Sequence, residues 1–140
     1  MLKGGMMEDW RKCILQNFPE FEHHPKSWTL AEAVTHLEAL LWQAAQAGDD
    51  GTVGRVLKFT VWAEERAALE ESLAWMTEDV LRRTLSTPQT RAVLAAQLNE
   101  RTLRTLTRVI KYIANEEVLA EIERVVQGAQ GQARGSAVAG

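Results

Sequence analysis

Apolar residues recur at steps of three and four along most of this chain, which is the spacing that places them on one face of an α-helix. No window shows the sustained alternation of apolar and polar residues that is typical of a half-buried strand. Only three prolines interrupt the pattern, at positions 19, 25 and 88. The sequence therefore predicts an all-α fold of six or seven short antiparallel helices, arranged as an irregular bundle or as a stack of helical hairpins.

Residues that favour helix ends divide the chain into these segments. Thr29 and Glu32 have the spacing of a capping box, and Thr87 followed by Pro88 is a typical helix start. Gly48 favours a helix end, because glycine readily adopts the left-handed conformation. The other predicted boundaries are Asp49 or Asp50, a break near Arg66, Asn99 and Asn115.

The chain of 140 residues is long enough for one domain with its own core. Its composition changes after Gln127, where the segment GAQGQARGSAVAG is dominated by glycine, alanine and serine. Such a segment has too little apolar area to build a core. We therefore predict one all-helical domain over residues 1–127 and a flexible C-terminal tail over residues 128–140.

Charge and cysteine content limit the environment of the protein. The formal net charge is −3, so the molecule as a whole has no attraction for phosphate or anionic lipid. No apolar run approaches the roughly 18–20 residues that a membrane span requires. The single cysteine, Cys13, excludes an internal disulfide and suits a reducing compartment. We expect a cytoplasmic protein that does not bind membranes.

Four cations form a stripe at helical spacing in the segment NERTLRTLTRVIKYIAN. Each is followed two positions later by an apolar residue, about 200° further round a helix, so the cations lie nearly opposite the core face. The stripe is either a phosphate-binding surface or an ordinary solvated helix face. From residue 86 onward there are seven cations and five anions, a balance of only +2, which favours the solvated face. The stripe consists of Arg101, Arg104, Arg108 and Lys111.

The residues with the chemistry for metal binding or nucleophilic catalysis are few. Cys13, His23, His24 and His36 show none of the spacings that hold zinc. A Cys13 nucleophile paired with His23 or His24 is conceivable, but Cys13 lies among apolar helix residues, where free cysteine usually acts as a small core residue. The sequence also lacks the glycine-rich motifs of phosphate loops and dinucleotide sites. We therefore predict no catalytic residue, no metal and no cofactor.

Five tryptophans come from five different predicted segments. The spacing of Trp62 and Trp75 places both on core faces. Trp28 precedes the Thr29 cap, and Trp42 lies at the edge of an apolar helix face. Because tryptophan is enriched at protein–protein hot spots, Trp28 and Trp42 are the predicted partner-binding residues.

Four segments carry a resemblance to a known family. They are NFPEF, QAGDDGTVGRVLKFTVWAEE, ESLAWMTEDVLRRTL and LNERTLRTLTRVIKY, which together cover about residues 9–112. In their order and spacing they resemble a bacterial family of small all-helical domains of unknown function that has immunity-protein-like members. The resemblance implies an all-α domain that acts through a binding surface, and it supplies no catalytic residues.

These observations lead to one functional hypothesis and one alternative. The first is a non-enzymatic protein–protein interaction module, of the immunity-protein-like kind, that binds another protein; a homodimer is left open. The alternative is a nucleic-acid-associated helical module that uses the basic stripe, which the net charge disfavours.

Overall fold

A computed structural model describes the backbone of residues 9–21, 27–67 and 71–139, and the side chains in these ranges except those of residues 71 and 130–139. The described residues form seven α-helices and one short 3-10 helix, and none of them lies in a strand. The predicted all-α fold is confirmed. The helices are α1 (Asp9–Asn17), the 3-10 helix (Pro19–Phe21), α2 (Leu30–Ala47), α3 (Asp50–Arg66), α4 (Glu71–Leu85), α5 (Pro88–Ala96), α6 (Glu100–Ile113) and α7 (Glu116–Ala139).

The predicted helix ends around α2 and α3 are confirmed. The Thr29 hydroxyl accepts a hydrogen bond from the Glu32 backbone N–H at 3.1 Å, and the Glu32 carboxylate accepts one from the Thr29 N–H at 3.0 Å. Gly48 ends α2 with φ of 69°, in the left-handed region that favours glycine. Asp49, rather than Asp50, caps α3 by accepting a hydrogen bond from the Thr52 N–H at 3.2 Å.

The later helix starts also follow the sequence signals. Thr87 caps α5, with Pro88 in its first turn. Asn99 and Thr102 form a capping box at the start of α6. The Asn115 side chain accepts a hydrogen bond from the Val118 N–H at 2.8 Å, so Asn115 divides α6 from α7 as predicted.

The core lies where α2, α3 and α4 meet. Helix α2 packs against α3, α4 and α5, while α4 also packs against α3, α5 and α6. Helix α1 lies on α3, and α7 covers α5 and α6. The largest fully buried side chains come from all seven described α-helices and from the residue after α1; they include Ile14, Phe18, Leu37, Phe59, Met76, Leu94, Leu106 and Ile122. One continuous core therefore holds the described helices together.

Arg91 links the end of α4 to α5 and α7. Its guanidinium donates hydrogen bonds to the Leu85 carbonyl oxygen at 2.9 Å and to the Glu121 carboxylate at 2.7 and 3.2 Å. The guanidinium lowers the pKa of Glu121 through these hydrogen bonds. Because Arg91 is mostly buried, this contact fixes where α7 lies on the bundle.

Helix α7 continues to Ala139, through the predicted boundary between residues 127 and 128. The flexibility of residues 128–140 stays a prediction. None of the helices in the described part of the chain is both long enough and apolar enough to cross a membrane.

Candidate functional site

The four cations of the predicted basic stripe are exposed on α6, on the side away from its buried residues. Arg108 is nevertheless engaged within the molecule. It donates hydrogen bonds to the Glu64 carboxylate at 2.8 and 3.0 Å, and it lies 3.6 Å from Glu78. The Glu64 and Glu78 side chains are only 8% and 17% exposed, and the hydrogen bonds that Arg108 donates to Glu64 raise the pKa of Arg108. Arg108 therefore links α6 to α3 and α4.

The other three cations of the stripe differ in their surroundings. Lys111 lies 3.5 Å from Glu116, in an ion pair whose two members are both largely exposed. Arg101 and Arg104 have no ion-pair partner within the described ranges. The stripe is therefore not a continuous row of free positive charges, because acidic side chains accompany its second half.

An open groove of about 580 Å³ lies on the described surface, and we call it the α3–α6 groove. One wall is the face of α3 between Asp50 and Glu65. The other wall is the turn between α5 and α6 together with the first turn of α6. That wall includes Gln97, Leu98, Asn99, Arg101 and Thr102.

Two glycines, Gly51 and Gly54, open one end of this groove because they place no side chain on the α3 wall. A Cβ atom added at Gly54 would lie 3.8 Å from the Gln97 side-chain oxygen, an ordinary van der Waals distance. A larger side chain at Gly54 would therefore extend into the groove rather than collide with its wall. The groove was not predicted from the sequence, although the pair of glycines at helical spacing is a signal that could have indicated it.

Trp62 contributes part of the groove's apolar lining. Its indole stacks on Phe59 at 5.8 Å between ring centroids, and the Arg66 guanidinium lies 4.7 Å from the indole centroid. The ring is half-buried: it packs against the core and it also borders the groove. Trp62 therefore packs against the core through Phe59, as its predicted core position implies, and its other side borders the groove.

The cations of the groove differ in whether they form an ion pair. Arg55 contacts the Glu20 carboxylate at 2.7 Å, and its guanidinium lies 4.6 Å from the Phe18 ring centroid. The guanidinium is also one of the causes that lower the pKa of Glu20, after a backbone hydrogen bond. Lys58 and Arg101 are exposed and form no ion pair with the residues that the structure describes.

Trp28, a predicted partner-binding residue, belongs to a line of rings that we call the aromatic stack: Phe18, Phe21, Trp28 and His36. The Trp28 and His36 rings are stacked with centroids 4.3 Å apart, and Phe21 meets the edge of Trp28 at 5.7 Å. Phe18 and Phe21 are stacked at 5.0 Å. Trp28 is thus half-buried against the core and covered by the chain's own side chains. Its predicted role in partner binding stays a prediction.

Trp42, the second predicted partner-binding residue, lies at the junction of α2 and α4. The Arg83 guanidinium lies 4.5 Å from its ring centroid, and Arg83 is held 3.6 Å from Glu38. The second carboxylate oxygen of Glu38 is buried and has no hydrogen-bond partner among the residues that the structure describes. Trp42 is half-buried beneath the Arg83 guanidinium, which is paired with Glu38. The role of Trp42 in partner binding also stays a prediction.

The prediction that Trp75 packs in the core is wrong, because its side chain is 45% exposed. In the part of α4 around Trp75, the buried positions are Leu73, Met76 and Thr77. The hydroxyl of Thr77 donates to the Leu73 carbonyl oxygen at 2.9 Å, which allows a polar residue to occupy the core. Trp75 lies about 200° from Leu73 on the helix and therefore points outward.

Cys13 is buried and behaves as the predicted small core residue. Burial raises the pKa of its thiol to about 11, although a hydrogen bond from the Asn17 side chain at 3.6 Å opposes this shift. His23 and His24 lie outside the described residues, so a pairing of either with Cys13 stays untested. His36 is exposed and stacks on Trp28. The described residues contain no group of three or more His, Cys, Asp or Glu side chains that could hold a metal ion.

No model of a known protein family matches the chain, and neither a curated protein nor a solved structure matches it. The resemblance to the family with immunity-protein-like members therefore stays a prediction, and no site residue is transferred to this chain from another protein.

Proposed function

We propose that the chain is a non-enzymatic protein–protein interaction module that binds its partner in the α3–α6 groove. The observation that carries this proposal is an open groove of about 580 Å³ whose apolar lining includes Trp62. Its rim carries Lys58 and Arg101, which form no ion pair with any described residue. Recognition sites commonly combine an apolar centre that contains an aromatic side chain with a polar rim. The groove has both components.

The dimensions of the groove favour a protein segment over a small molecule. The α3 wall extends from Asp50 to Glu65, which is about 22 Å along a helix axis. An open groove of that length matches a helix of four turns or an extended segment of about six or seven residues. Small-molecule sites more often enclose most of the ligand surface.

The alternative, a nucleic-acid-associated module, has less support. Arg108 is held between Glu64 and Glu78, and Lys111 is paired with Glu116. A phosphate that approached the second half of the stripe would meet these carboxylates. Within the described ranges, Arg101 and Arg104 are the members of the stripe without an ion pair, too few for the several contacts that give strong binding.

A narrower form of the proposal follows from the family resemblance. In that form the module is a cytoplasmic immunity-type protein that binds and blocks a toxic protein. The net charge of the chain is −3, whereas the groove carries the cations Lys58 and Arg101. A partner with complementary charges at both places could form a tight complex.

The proposal is tested by filling the groove without weakening the fold. Gly54→Met places a long side chain on the α3 wall, and it removes the destabilisation of about 0.5–1 kcal/mol that glycine causes inside a helix. The matched control is Gly128→Met, because Gly128 is also helical and a Cβ atom there meets nothing within 4 Å.

Both variants and the parent are used to capture proteins from an extract of the native cells, followed by quantitative mass spectrometry. We expect specific proteins that are retained by the parent and by Gly128→Met but lost with Gly54→Met. Equal capture by all three proteins would reject the groove as the binding surface.

A further inference from the structure

The charges along the α3–α6 groove are segregated. On the α3 wall, Asp50 lies in the first turn and Glu65 in the last, while Arg55 and Lys58 lie between them. Arg101 faces the groove from the opposite wall, on α6. The α3 wall therefore carries its cations in the middle and one carboxylate toward each end, and at the Glu65 end the Arg66 guanidinium also lies over the Trp62 ring.

The middle of the groove is not neutralised by its own acids. Lys58 is eight residues from Asp50 and seven from Glu65, which corresponds to about 12 Å and 10 Å along the helix axis. Exposed charges at such distances are largely screened at cellular ionic strength, where the Debye length is about 8 Å. The Arg55 charge is offset by Glu20, at 2.7 Å, so Lys58 and Arg101 dominate the centre.

The apolar lining lies beside these two cations. Leu57 and Leu98 are almost fully buried, and Val61 and Trp62 are half-buried on the α3 wall. An occupant can therefore bury an aliphatic or aromatic side chain against Val61 and Trp62 and place a carboxylate within reach of Lys58 or Arg101. Desolvation by the apolar contact strengthens such a charge-assisted hydrogen bond.

We propose that the occupant of the α3–α6 groove is a segment of another protein in which aspartate or glutamate residues flank an aliphatic or aromatic anchor. This inference rests on the proposed function and adds the chemistry of the partner. It accounts for two exposed cations on facing walls that have no acid of their own.

The experiment is a selection from a displayed library of random 12-residue peptides, with the full chain as bait. We expect enrichment of peptides that carry acidic residues next to an aliphatic or aromatic residue. The dissociation constant of the best peptide is then measured by fluorescence anisotropy with the parent and with two double variants. Lys58→Glu with Arg101→Glu reverses the groove charges, and Arg82→Glu with Arg104→Glu makes the same charge change outside the groove.

We expect the groove variant to weaken binding about tenfold or more, with a steep dependence on salt, and the control variant to change it less than about twofold. Circular dichroism of all three proteins verifies that they are folded. Enrichment of neutral or basic peptides overturns the inference about the partner's chemistry and leaves the proposed groove standing. Equal weakening by the two variants overturns the inference and also rejects the groove as the binding surface. Failure to enrich any peptide overturns the inference and also removes support from the proposed function.

Discussion

The aromatic stack and the α3–α6 groove each place a tryptophan at the edge of the core, but they leave that tryptophan in different surroundings. In the aromatic stack, Trp28 is covered by His36 and Phe21. In the groove, Trp62 is backed by Phe59 and has the Arg66 guanidinium over its ring, but part of the indole still borders an open space. A tryptophan near the surface is available to a partner only where the chain does not cover it with its own side chains.

The same contrast exists between cations. Arg83 and Arg108 are anchored by carboxylates from other helices, at 3.6 and 2.8 Å. Lys58 and Arg101 have no such anchor within the described part of the chain. Anchored cations stabilise the fold, whereas free cations at the rim of an apolar groove are available for recognition. Four predictions test this division, from the largest expected effect to the smallest.

The largest effect is expected at Arg108. Arg108→Met leaves the carboxylates of Glu64 and Glu78 mostly buried without their cation, and we expect a loss of about 2–3 kcal/mol in the free energy of unfolding. Arg104→Met on the same helix should change it by less than about 0.5 kcal/mol. Urea denaturation measures both. If the two variants were equally stable, Arg108 would not be an anchor.

A pH-dependent effect of similar size is expected at Cys13. The pKa of its thiol is raised from 9.0 to about 11. Between these two pH values the thiol keeps its proton in the folded protein and loses it in the unfolded chain. The contribution of Cys13 to stability is therefore complete below pH 9 and is lost as the pH rises toward 11, by on the order of 2 kcal/mol.

The control for this effect is Cys13→Ala, which lacks the thiol. Urea denaturation of both proteins from pH 8 to pH 11 gives the difference in unfolding free energy. We expect the parent to lose more stability than Cys13→Ala over this range. Parallel curves would show that the thiol ionises normally in the folded state.

A smaller effect is expected at Trp42. Trp42→Ala removes the contact with Arg83 and part of the packing between α2 and α4, so we expect a loss of about 1–2 kcal/mol of stability. Binding of a partner in the groove should stay within about twofold of the parent. The sequence, in contrast, predicts that Trp42 and Trp28 contact the partner. A folded Trp42→Ala or Trp28→Ala variant that loses its partner would move the binding surface to the α2 side.

The smallest effect is expected at Trp75, because nearly half of its side chain is already exposed. Trp75→Gln should change the free energy of unfolding by less than about 1 kcal/mol. Thermal melting monitored by circular dichroism is a sufficient measurement. A large drop in the melting temperature would mean that the buried half of the ring contributes as a core residue does.

The helices could be predicted because their signals are local. Thr29 with Glu32, Gly48, and Thr87 with Pro88 act through hydrogen bonds and backbone conformations within a few residues, and each occurs where the sequence indicated. The apolar face of α6 was equally clear, since every third or fourth residue of that segment is apolar. Residue type and spacing within a few positions were sufficient to predict these helix ends and this apolar face.

The groove and the anchored cations could not be predicted in the same way. Arg108 meets Glu64 across 44 residues of sequence, and helical periodicity contains no information on which acid faces which cation. The groove depends on how α3 lies beside the turn between α5 and α6. The prediction that Trp75 lies on a core face did not follow the periodicity of Leu73, Met76 and Val80, which leaves Trp75 about 200° from Leu73.

The most direct test of the central claim compares the two regions within the native complex. A photo-crosslinking amino acid is introduced at Lys58 in one variant and at Trp42 in another, with a third at Arg104 as a control outside both regions. After irradiation in the native cells, adducts are detected by their increased mass. If the α3–α6 groove binds the partner, the Lys58 variant forms a discrete adduct, and the Trp42 and Arg104 variants form none. An adduct at Trp42 with none at Lys58 would contradict the account.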